Sequence, residues 1–115
     1  MAYTPLSPRR PVQIDALYSV HYFEYSSSYQ FTGEAHDFWE FLYVDKGSVR
    51  VTAGDQIHDL SRGQIIFHAP GEFHALSANG VTAPNLVVVS FPCDSPAMDF
   101  FRGHLTTLGA DERIL

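Results

Sequence analysis

The sequence lacks three features that would each indicate a different class of protein. It contains one cysteine, Cys93, which excludes an internal disulfide and makes a reducing cytoplasm the expected location. It has no apolar run long enough to span a membrane, and its first residues lack the apolar segment of a signal peptide. Only 7 Lys and Arg stand against 13 Asp and Glu, a net charge of −6. Nucleic-acid binding modules usually carry a basic stripe, so this chain is not expected to bind DNA by itself.

What the sequence does contain is a dense series of strand signals. Short apolar and aromatic runs alternate with turn residues such as "DKG", "GD", "SRG", "PGE" and "ANG". The clearest runs are Tyr18 to Tyr25, Phe38 to Val44, Ser48 to Ala53, Gln64 to Ala69 and Leu86 to Pro92. A chain of 115 residues suits one domain with one core. So many short strands with such regular turns predict an all-β sandwich or barrel.

One helix is predicted near the C-terminal end, from Pro96 to Leu108. Ser95 is a suitable cap, and proline fits the first turn of a helix. Apolar residues then recur at helical spacing, at Met98, Phe101, Leu105 and Leu108. This apolar stripe needs a partner, which is either the outside of the barrel or a second subunit.

A group of polar residues stands apart from the strand signals. Glu34, His36 and Glu40 lie within seven residues, and His74 follows a Pro-Gly turn. Imidazoles and carboxylates are the ligands expected for zinc, iron, manganese or nickel, so these four residues form a candidate metal site. The spacing alone is a weak signal, because buried histidines are usually hydrogen-bonded to the protein.

The hypothesis of a metal site depends on the path of the chain between His36 and Glu40. On a straight strand Glu34, His36, Phe38, Glu40 and Leu42 would share one face, but Glu40 would lie about 13 Å from His36. Chelation by both therefore requires a bend near Phe38. Without a bend, the same side chains would make separate polar contacts, and the residues alone leave both alternatives open.

Both polar stretches resemble the motifs of the cupin superfamily. Its first motif runs H-x-H, three or four residues, E, six residues, G, and here His36, Glu40 and Gly47 fit it, while Glu34 replaces the first histidine. Its second motif runs from a glycine through a proline-glycine turn to a histidine. The residues that fit the second motif are Gly63, Pro70, Gly71 and His74.

The combination of "HDFWEFLYV", "KG", "PGEFH" and a hydrophobic strand ending in "SF" is similar to the N-terminal sensor domain of AraC-type transcription regulators. The resemblance implies a cupin-type double-stranded β-helix, or jelly-roll barrel, over residues 15–95. The proline-rich run "PLSPRRP" near the start of the chain predicts a flexible N-terminal arm over residues 1–14. Residues 96–115 would then form the C-terminal helix and the start of a linker toward a separate DNA-binding domain with helix-turn-helix units.

The resemblance also implies what the barrel binds. It places a small effector, such as a sugar or another small metabolite, among side chains at the barrel mouth. The expected ligand-binding residues are Glu34, His36, Phe38, Glu40, Leu42 and His74. No cofactor is required on this interpretation, and the expected partners are the effector and a second copy in a homodimer, with no membrane. The alternative is a small metal-dependent cupin enzyme, of dioxygenase or isomerase type, with Zn, Ni, Mn or Fe at Glu34, His36, Glu40 and His74.

Two further sets of residues allow two interpretations each. Trp39, Phe41 and Tyr43 alternate with Glu40, so they form either a layer packed beneath the terminal helix or N-terminal segment, or a subunit interface. The remaining histidines have no partner pattern and are expected at the surface or in structural roles. They are His21, His58, His68 and His104.

Overall fold

A computed structural model describes residues 12–108 and shows nine β-strands with one short 3-10 helix. The strands are β1 Ser19–Glu24, β2 Gln30–Glu34, β3 Trp39–Lys46, β4 Ser48–Ala53, β5 Gln56–Ser61, β6 Gln64–His68, β7 His74–Ala78, β8 Asn85–Phe91 and β9 Leu105–Thr107. The helix spans Pro96–Phe101. Most of the predicted N-terminal arm lies outside the described residues. Within 12–108, no helix is long and apolar enough to cross a lipid bilayer.

The strands form two antiparallel sheets. One sheet has the order β1-β8-β3-β6-β9, and the other has the order β2-β7-β4-β5. Apart from the hairpin of β4 and β5, neighbours in the sheets are not consecutive in sequence, since β3 lies between β8 and β6 and β7 lies between β2 and β4. The all-β jelly-roll prediction is confirmed.

The two sheets enclose an apolar core because strand residues alternate between the inner and the outer face. In β3, for example, Leu42 and Val44 are buried and Glu40 precedes them on the same face. The core residues are Leu42, Val44, Val49, Val51, Ala53, Leu60, Ile66 and Leu86. Full burial of each large aliphatic side chain contributes about 1.5–3 kcal/mol, so this cluster is a major source of the sandwich's stability. It fills one part of the space between the sheets and leaves the part near Glu40 open.

The turn between β3 and β4 requires its glycine. Gly47 has a φ of +77°, and a Cβ there would lie 3.1 Å from Cα of Pro84 and 3.2 Å from the carbonyl oxygen of Ala83. A side chain would therefore meet both backbone strain and a steric clash. The glycine of the first cupin-like motif thus has a structural role, because it allows β3 to turn sharply into β4.

The C-terminal helix begins where predicted, at Pro96, but it is a 3-10 helix that ends at Phe101 rather than Leu108. Ser95 does not cap it through its side chain. Instead, the Ser95 hydroxyl oxygen accepts a hydrogen bond from the Gln13 amide at 3.0 Å. Gly103 adopts a φ of +64°, which turns the chain out of the helical path.

The residues after Gly103 form strand β9 instead of the last helical turns. Leu105 pairs with Ile66 and Thr107 with Gln64, so β9 extends the five-stranded sheet along β6. The helix prediction was therefore wrong over 102–108. The spacing of Met98, Phe101 and Leu105 was consistent with a helix, but β-branched Thr106 and Thr107 favour a strand once a partner edge is available.

The outer face of the five-stranded sheet carries a second apolar cluster. Its buried members are Trp39, Ala69, Val89, Phe91 and Met98, with Phe41, Phe67, Val87, Cys93 and Phe101 packed against them. Trp39 is 3% exposed, so it belongs to a packed layer beneath the 3-10 helix, as one of the two interpretations predicted. Phe41 instead lines an apolar groove of about 300 Å³ that also involves Ile14 and Leu17.

Candidate functional site

The bend that chelation requires is present, because the chain passes from one sheet to the other between Glu34 and Glu40. Strand β2 ends at Glu34 in the four-stranded sheet, and β3 begins at Trp39 in the five-stranded sheet. His36 lies in the segment between them. The pairing of β2 with β7 is also irregular between Phe31 and Glu34. The straight-strand alternative is thereby ruled out.

The four predicted polar residues converge at one end of the space between the sheets. One ligand atom from each of Glu34, His36, Glu40 and His74 lies within 4.8 Å of the others. The Nε2 atom of His36 lies 3.4 Å from a carboxylate oxygen of Glu34 and 3.4 Å from one of Glu40. The Nε2 atom of His74 lies 3.3 Å from Glu40 and 3.6 Å from Glu34. We refer to these four residues as the polar centre.

Both imidazoles of the polar centre are oriented by backbone carbonyls. Nδ1 of His36 is 3.0 Å from the carbonyl oxygen of Phe38, and Nδ1 of His74 is 3.2 Å from that of Glu72. A carbonyl oxygen only accepts, so each Nδ1 must carry the hydrogen and donate it. In a neutral imidazole, Nε2 is then left with a lone pair, which is the form that binds a metal.

The chemistry of the polar centre suits a divalent cation. Neither Nε2 atom has hydrogen-bond geometry to a protein acceptor, although both are buried and lie within ion-pair distance of the carboxylates. Tetrahedral coordination at about 2.0–2.2 Å from each ligand atom would separate those atoms by about 3.4 Å. The nitrogen-oxygen separations of 3.3–3.6 Å lie near this value, with Glu40 facing His36 through one oxygen and His74 through the other, and one ligand atom from each of the four residues lies within 4.8 Å of the rest. The group could therefore hold a metal ion.

Glu40 and His74 perturb each other's protonation. Burial by itself would raise the pKa of Glu40, but the close polar contact and charge interaction with His74, followed by the charge interactions with His68 and His36, lower it overall. Burial would likewise lower the pKa of His74, but Glu40, the Glu72 carbonyl and Glu34 raise it overall. The metal-free polar centre thus favours a Glu40 carboxylate beside a protonated His74, and a cation would compete with that proton.

A cavity of about 350 Å³ extends from the polar centre between the two sheets. Its polar lining on the five-stranded sheet includes one continuous row of cross-strand partners. Ser19 pairs with Ser90, Ser90 with Glu40, and Glu40 with His68. The Ser90 hydroxyl also lies 3.4 Å from the Glu40 carboxylate and donates to it. Hydrogen-bonding groups therefore extend across the five-stranded sheet on both sides of Glu40, toward Ser19 and toward His68.

Aromatic rings form another wall of the cavity. His21 and Phe23 stack at 5.3 Å between ring centroids, Phe23 and Tyr25 at 5.1 Å, and Tyr25 and Tyr29 at 3.8 Å. Burial, together with a hydrogen bond to Tyr29, raises the pKa of Tyr25, so its hydroxyl stays protonated. The cavity combines a flat apolar wall with a polar end, which is typical of sites for small organic ligands.

The structure brings together most of the residues that the sequence indicated. Glu34, Phe38, Glu40, Leu42 and His74 line the cavity. His36 does not line it, although its Nε2 atom faces the same two carboxylates and its ring stacks on Phe38 at 3.9 Å.

Several lining residues were not predicted. His68 was expected to be structural, yet it lines the cavity and is hydrogen-bonded to Glu72 at 3.1 Å. The unpredicted lining residues nearest the sheet edge are Ser19, His21, Phe23 and Tyr25. Their alternation in "YSVHYFEY" was a usable signal, because residues two apart on a strand share a face.

Comparison with known proteins identifies the family. The model of the AraC-like ligand binding domain matches residues 17–95, which is more than half of the chain. The chain belongs to this family. The match includes the whole polar centre and both cupin-like motifs. No relative among curated proteins matches this chain significantly.

Solved structures with the same fold include several cupins. A cupin domain from Schizosaccharomyces pombe is 9% identical, with a TM-score of 0.62 over 76% of this chain and 59% of that one. A conserved protein of unknown function from Streptococcus pyogenes is 18% identical, with a TM-score of 0.60 over 66% of this chain and 65% of that one. A variant of oxalate decarboxylase from Bacillus subtilis is 19% identical, with a TM-score of 0.54 over 72% of this chain and 22% of that one.

These likenesses concern the fold. At such low identity they carry no information on activity, and this chain spans less than two thirds of the length of each of the three proteins. Together with the family match, they identify the two-sheet sandwich as a cupin-type barrel.

Proposed function

We propose that this chain is the effector-sensing domain of an AraC-type transcription regulator and that it performs no chemistry of its own. The observation that carries the proposal is the cavity of about 350 Å³, in a domain of the AraC-like ligand-binding family, with a polar end and an aromatic wall. DNA recognition is assigned to a separate domain. A regulator of this kind acts in the cytoplasm, where Cys93 stays reduced.

The cavity favours a small polar effector. Its volume is at the low end of the range of about 300–1,000 Å³ that is usual for ligand pockets. The carboxylates of Glu34 and Glu40 accept hydrogen bonds, and Ser19 and Ser90 can donate or accept them. A sugar or another polyhydroxylated metabolite satisfies such groups, whereas an anionic effector would be repelled by the two carboxylates unless a cation lay between them.

A metal-loaded polar centre is the second candidate, and the two buried Nε2 atoms without hydrogen-bond partners favour it. Glu34, His36, Glu40 and His74 would hold Zn, Ni, Mn or Fe. The ion would supply positive charge that balances two carboxylates and accepts an oxygen of the ligand. In that case the chain is either a sensor that uses metal or a small metal-dependent cupin enzyme.

We also propose that the chain forms a homodimer through the outer face of the five-stranded sheet. The apolar groove there is lined by Ile14, Leu17, Phe41 and Phe67 among others. Leu17 is 57% exposed and Ile14 is 45% exposed. Burial of these side chains against a second copy would remove apolar surface from water.

Native mass spectrometry of the purified chain tests the effector proposal, with elemental analysis of the same sample. The expected result is an organic molecule retained by the wild type and lost from Ser90→Ala and Glu40→Gln variants that keep their fold. A stoichiometric metal that disappears in the His36→Ala/His74→Ala double variant supports the metal-loaded alternative. Turnover of any substrate by the metal-loaded chain would overturn the proposal that the domain performs no chemistry.

A further inference from the structure

The turn between β6 and β7 connects the polar centre to residues outside it. The Glu72 amide donates to the Ala69 carbonyl oxygen at 3.1 Å, with Pro70 and Gly71 between them. Gly71 has a φ of +81°, as the third position of a type II turn requires. The Gly71 amide donates to the carbonyl oxygen of His36 at 2.7 Å. The turn is therefore bonded to the segment that carries one candidate ligand and lies just before His74, the other imidazole.

Glu72 makes two contacts, each with a different histidine. Its backbone carbonyl accepts the hydrogen of Nδ1 of His74 at 3.2 Å. Its carboxylate accepts from Nδ1 of His68 at 3.1 Å. The side chain of His68 is 1% exposed and that of Glu72 is 17% exposed, so this interaction is well shielded from water.

The rings of His68 and His74 lie almost parallel. Their planes differ by 9°, and their centroids are 4.3 Å apart. Both Nδ1 atoms are turned toward Glu72, so both Nε2 atoms point away from it. The ring of His68 therefore lies face to face with the ring of His74, and both rings are hydrogen-bonded to Glu72 through Nδ1. His68 itself is not one of the four residues of the polar centre.

We propose that His68 and Glu72 are positioning residues that keep Nε2 of His74 directed into the polar centre. The hydrogen bond to the Glu72 carbonyl selects one tautomer of His74 only while the ring keeps its orientation, and that bond by itself leaves the ring free to tilt. The stacked His68 ring blocks this tilt, and the Glu72 carboxylate keeps His68 from rotating away. Outer contacts of this kind typically change metal affinity by about 10–100-fold when they are removed.

Substitutions separate the positioning role from direct binding by His68. His68→Phe keeps a flat ring for stacking and removes both nitrogens, whereas His68→Leu removes the ring at similar volume. Glu72→Gln keeps a side-chain acceptor for His68, and Glu72→Ala removes it while leaving the backbone carbonyl in place. Positioning by stacking predicts that the first member of each pair resembles the wild type and the second does not.

Cobalt titration followed by visible absorption is the first measurement, and it rests on the proposal that the polar centre can hold a metal. The wild type, His68→Phe and Glu72→Gln are expected to agree in affinity within about threefold, while His68→Leu and Glu72→Ala bind about 10-fold or more weakly. Equal weakening by His68→Phe and His68→Leu would overturn the stacking role. Unchanged affinity in all four variants would overturn the proposal as a whole.

A second measurement needs no metal. Long-range proton-nitrogen NMR spectra of the imidazoles, recorded on the metal-free chain at alkaline pH, report the tautomer of each ring. We expect one Nδ1-protonated form of His74 in the wild type and His68→Phe, and a mixture of tautomers in His68→Leu. A wild type that binds no cobalt but gives this NMR result would reject the metal site and keep the positioning role. A single His74 tautomer in every variant would reject the positioning role even if cobalt binds.

Discussion

Glu34 and His74 are cross-strand partners on β2 and β7, and a carboxylate oxygen of Glu34 lies 3.6 Å from Nε2 of His74. Glu34 stands where the cupin motif has a histidine, so the polar centre keeps four potential ligands but gains a negative charge. In the absence of a cation, Glu34 and Glu40 repel each other across a short distance. Compared with a cupin motif that has two histidines, the polar centre therefore differs mainly in carrying one more negative charge.

Glu34→Gln is expected to weaken cation binding and to leave the metal-free fold intact. The amide keeps an oxygen of the same reach but removes one anionic ligand, so cobalt affinity should fall by about 10-fold or more. Because Glu34 is 48% exposed, and because the variant loses attraction to His74 as well as repulsion from Glu40, the free energy of unfolding should change by less than about 1 kcal/mol. Cobalt titration and urea unfolding in a chelator measure the two effects. Stronger cobalt binding by the variant would contradict this account of the charge.

The stability of the metal-free chain should depend on pH through Glu40 and His74. The pKa of Glu40 is lowered from 4.5, so its contribution is present above that pH and is lost as pH falls through the folded-state pKa. The pKa of His74 is raised from 6.5, so its contribution is present below that pH and is lost as pH rises through the folded-state pKa. Both contributions coexist between pH 4.5 and 6.5.

Urea unfolding of the wild type and Glu40→Gln across this range measures the pH dependence. The free energy of unfolding of the wild type should exceed that of the variant by the largest amount between pH 4.5 and 6.5, because Glu40 and His74 carry opposite charges there. The gain should shrink on both sides of this window. A difference between the two proteins that is constant with pH would show that the pair does not titrate as described.

Much of the fold could be predicted from the sequence because strand alternation and turn residues are local signals. The run from Phe38 to Val44 alternates between inner and outer residues, and Gly47 ends it at a tight turn. The region after Gly103 could not be predicted in the same way. Leu105 continues an apolar helical spacing, and only the free edge of β6, which is remote in sequence, makes a strand there more stable.

The candidate site was predictable only where a motif brought its members together. Glu34, His36, Glu40 and His74 are recognisable from spacing, but their convergence depends on the crossing from one sheet to the other at Ala35 to Phe38. The link from His68 to Glu72 spans a turn, and the row from Ser19 to Glu40 joins strands that are far apart in the chain. Contacts of this kind follow from sheet order, which no local pattern specifies.

Gly71 offers a test of the turn that organises the site. It has a φ of +81°, and a Cβ there would meet no atom within 4 Å, so Gly71→Ala adds backbone strain without a clash. A cost of about 1–2 kcal/mol is expected, with weaker ligand or cobalt binding because Glu72 shifts. Gly80 is a matched control, since it has a φ of +82° and equally open surroundings in the turn after β7.

Gly80→Ala should lose similar stability and keep binding unchanged. Urea unfolding and cobalt titration of both variants make the comparison. Equal loss of binding in the two variants would mean that binding follows global stability rather than the geometry of the Pro70–Gly71 turn.

Self-association should depend on the apolar groove on the outer face of the five-stranded sheet. Leu17→Lys places a charge on a side chain that is 57% exposed and lines the groove, so it should shift the dimer toward monomer. Ile57→Lys is the matched control, because Ile57 is 65% exposed and lies on β5 of the other sheet. Sedimentation velocity over a range of concentrations measures both. A monomeric wild type at high concentration, or equal dissociation by both variants, would rule out this interface.

DNA binding is expected to be absent from this chain, even though the function proposed for it lies in transcription control. Specific recognition needs an element that enters a groove and enough basic side chains to displace counterions. Within residues 12–108, the one helix is the six-residue 3-10 helix, which is about 12 Å long and too short to serve as a recognition helix.

The charges of the described residues lead to the same expectation. Arg50 is paired with Asp59 at 2.9 Å and Arg102 with Asp99 at 3.1 Å, while the whole chain carries a net charge of −6. An anisotropy titration with labelled duplex DNA at low salt is the most demanding test, because low salt strengthens electrostatic binding. We expect no saturable signal. Saturable binding at micromolar protein that weakens steeply with added salt would contradict the assignment of DNA recognition to a separate domain, because counterion release is the signature of a phosphate-binding surface.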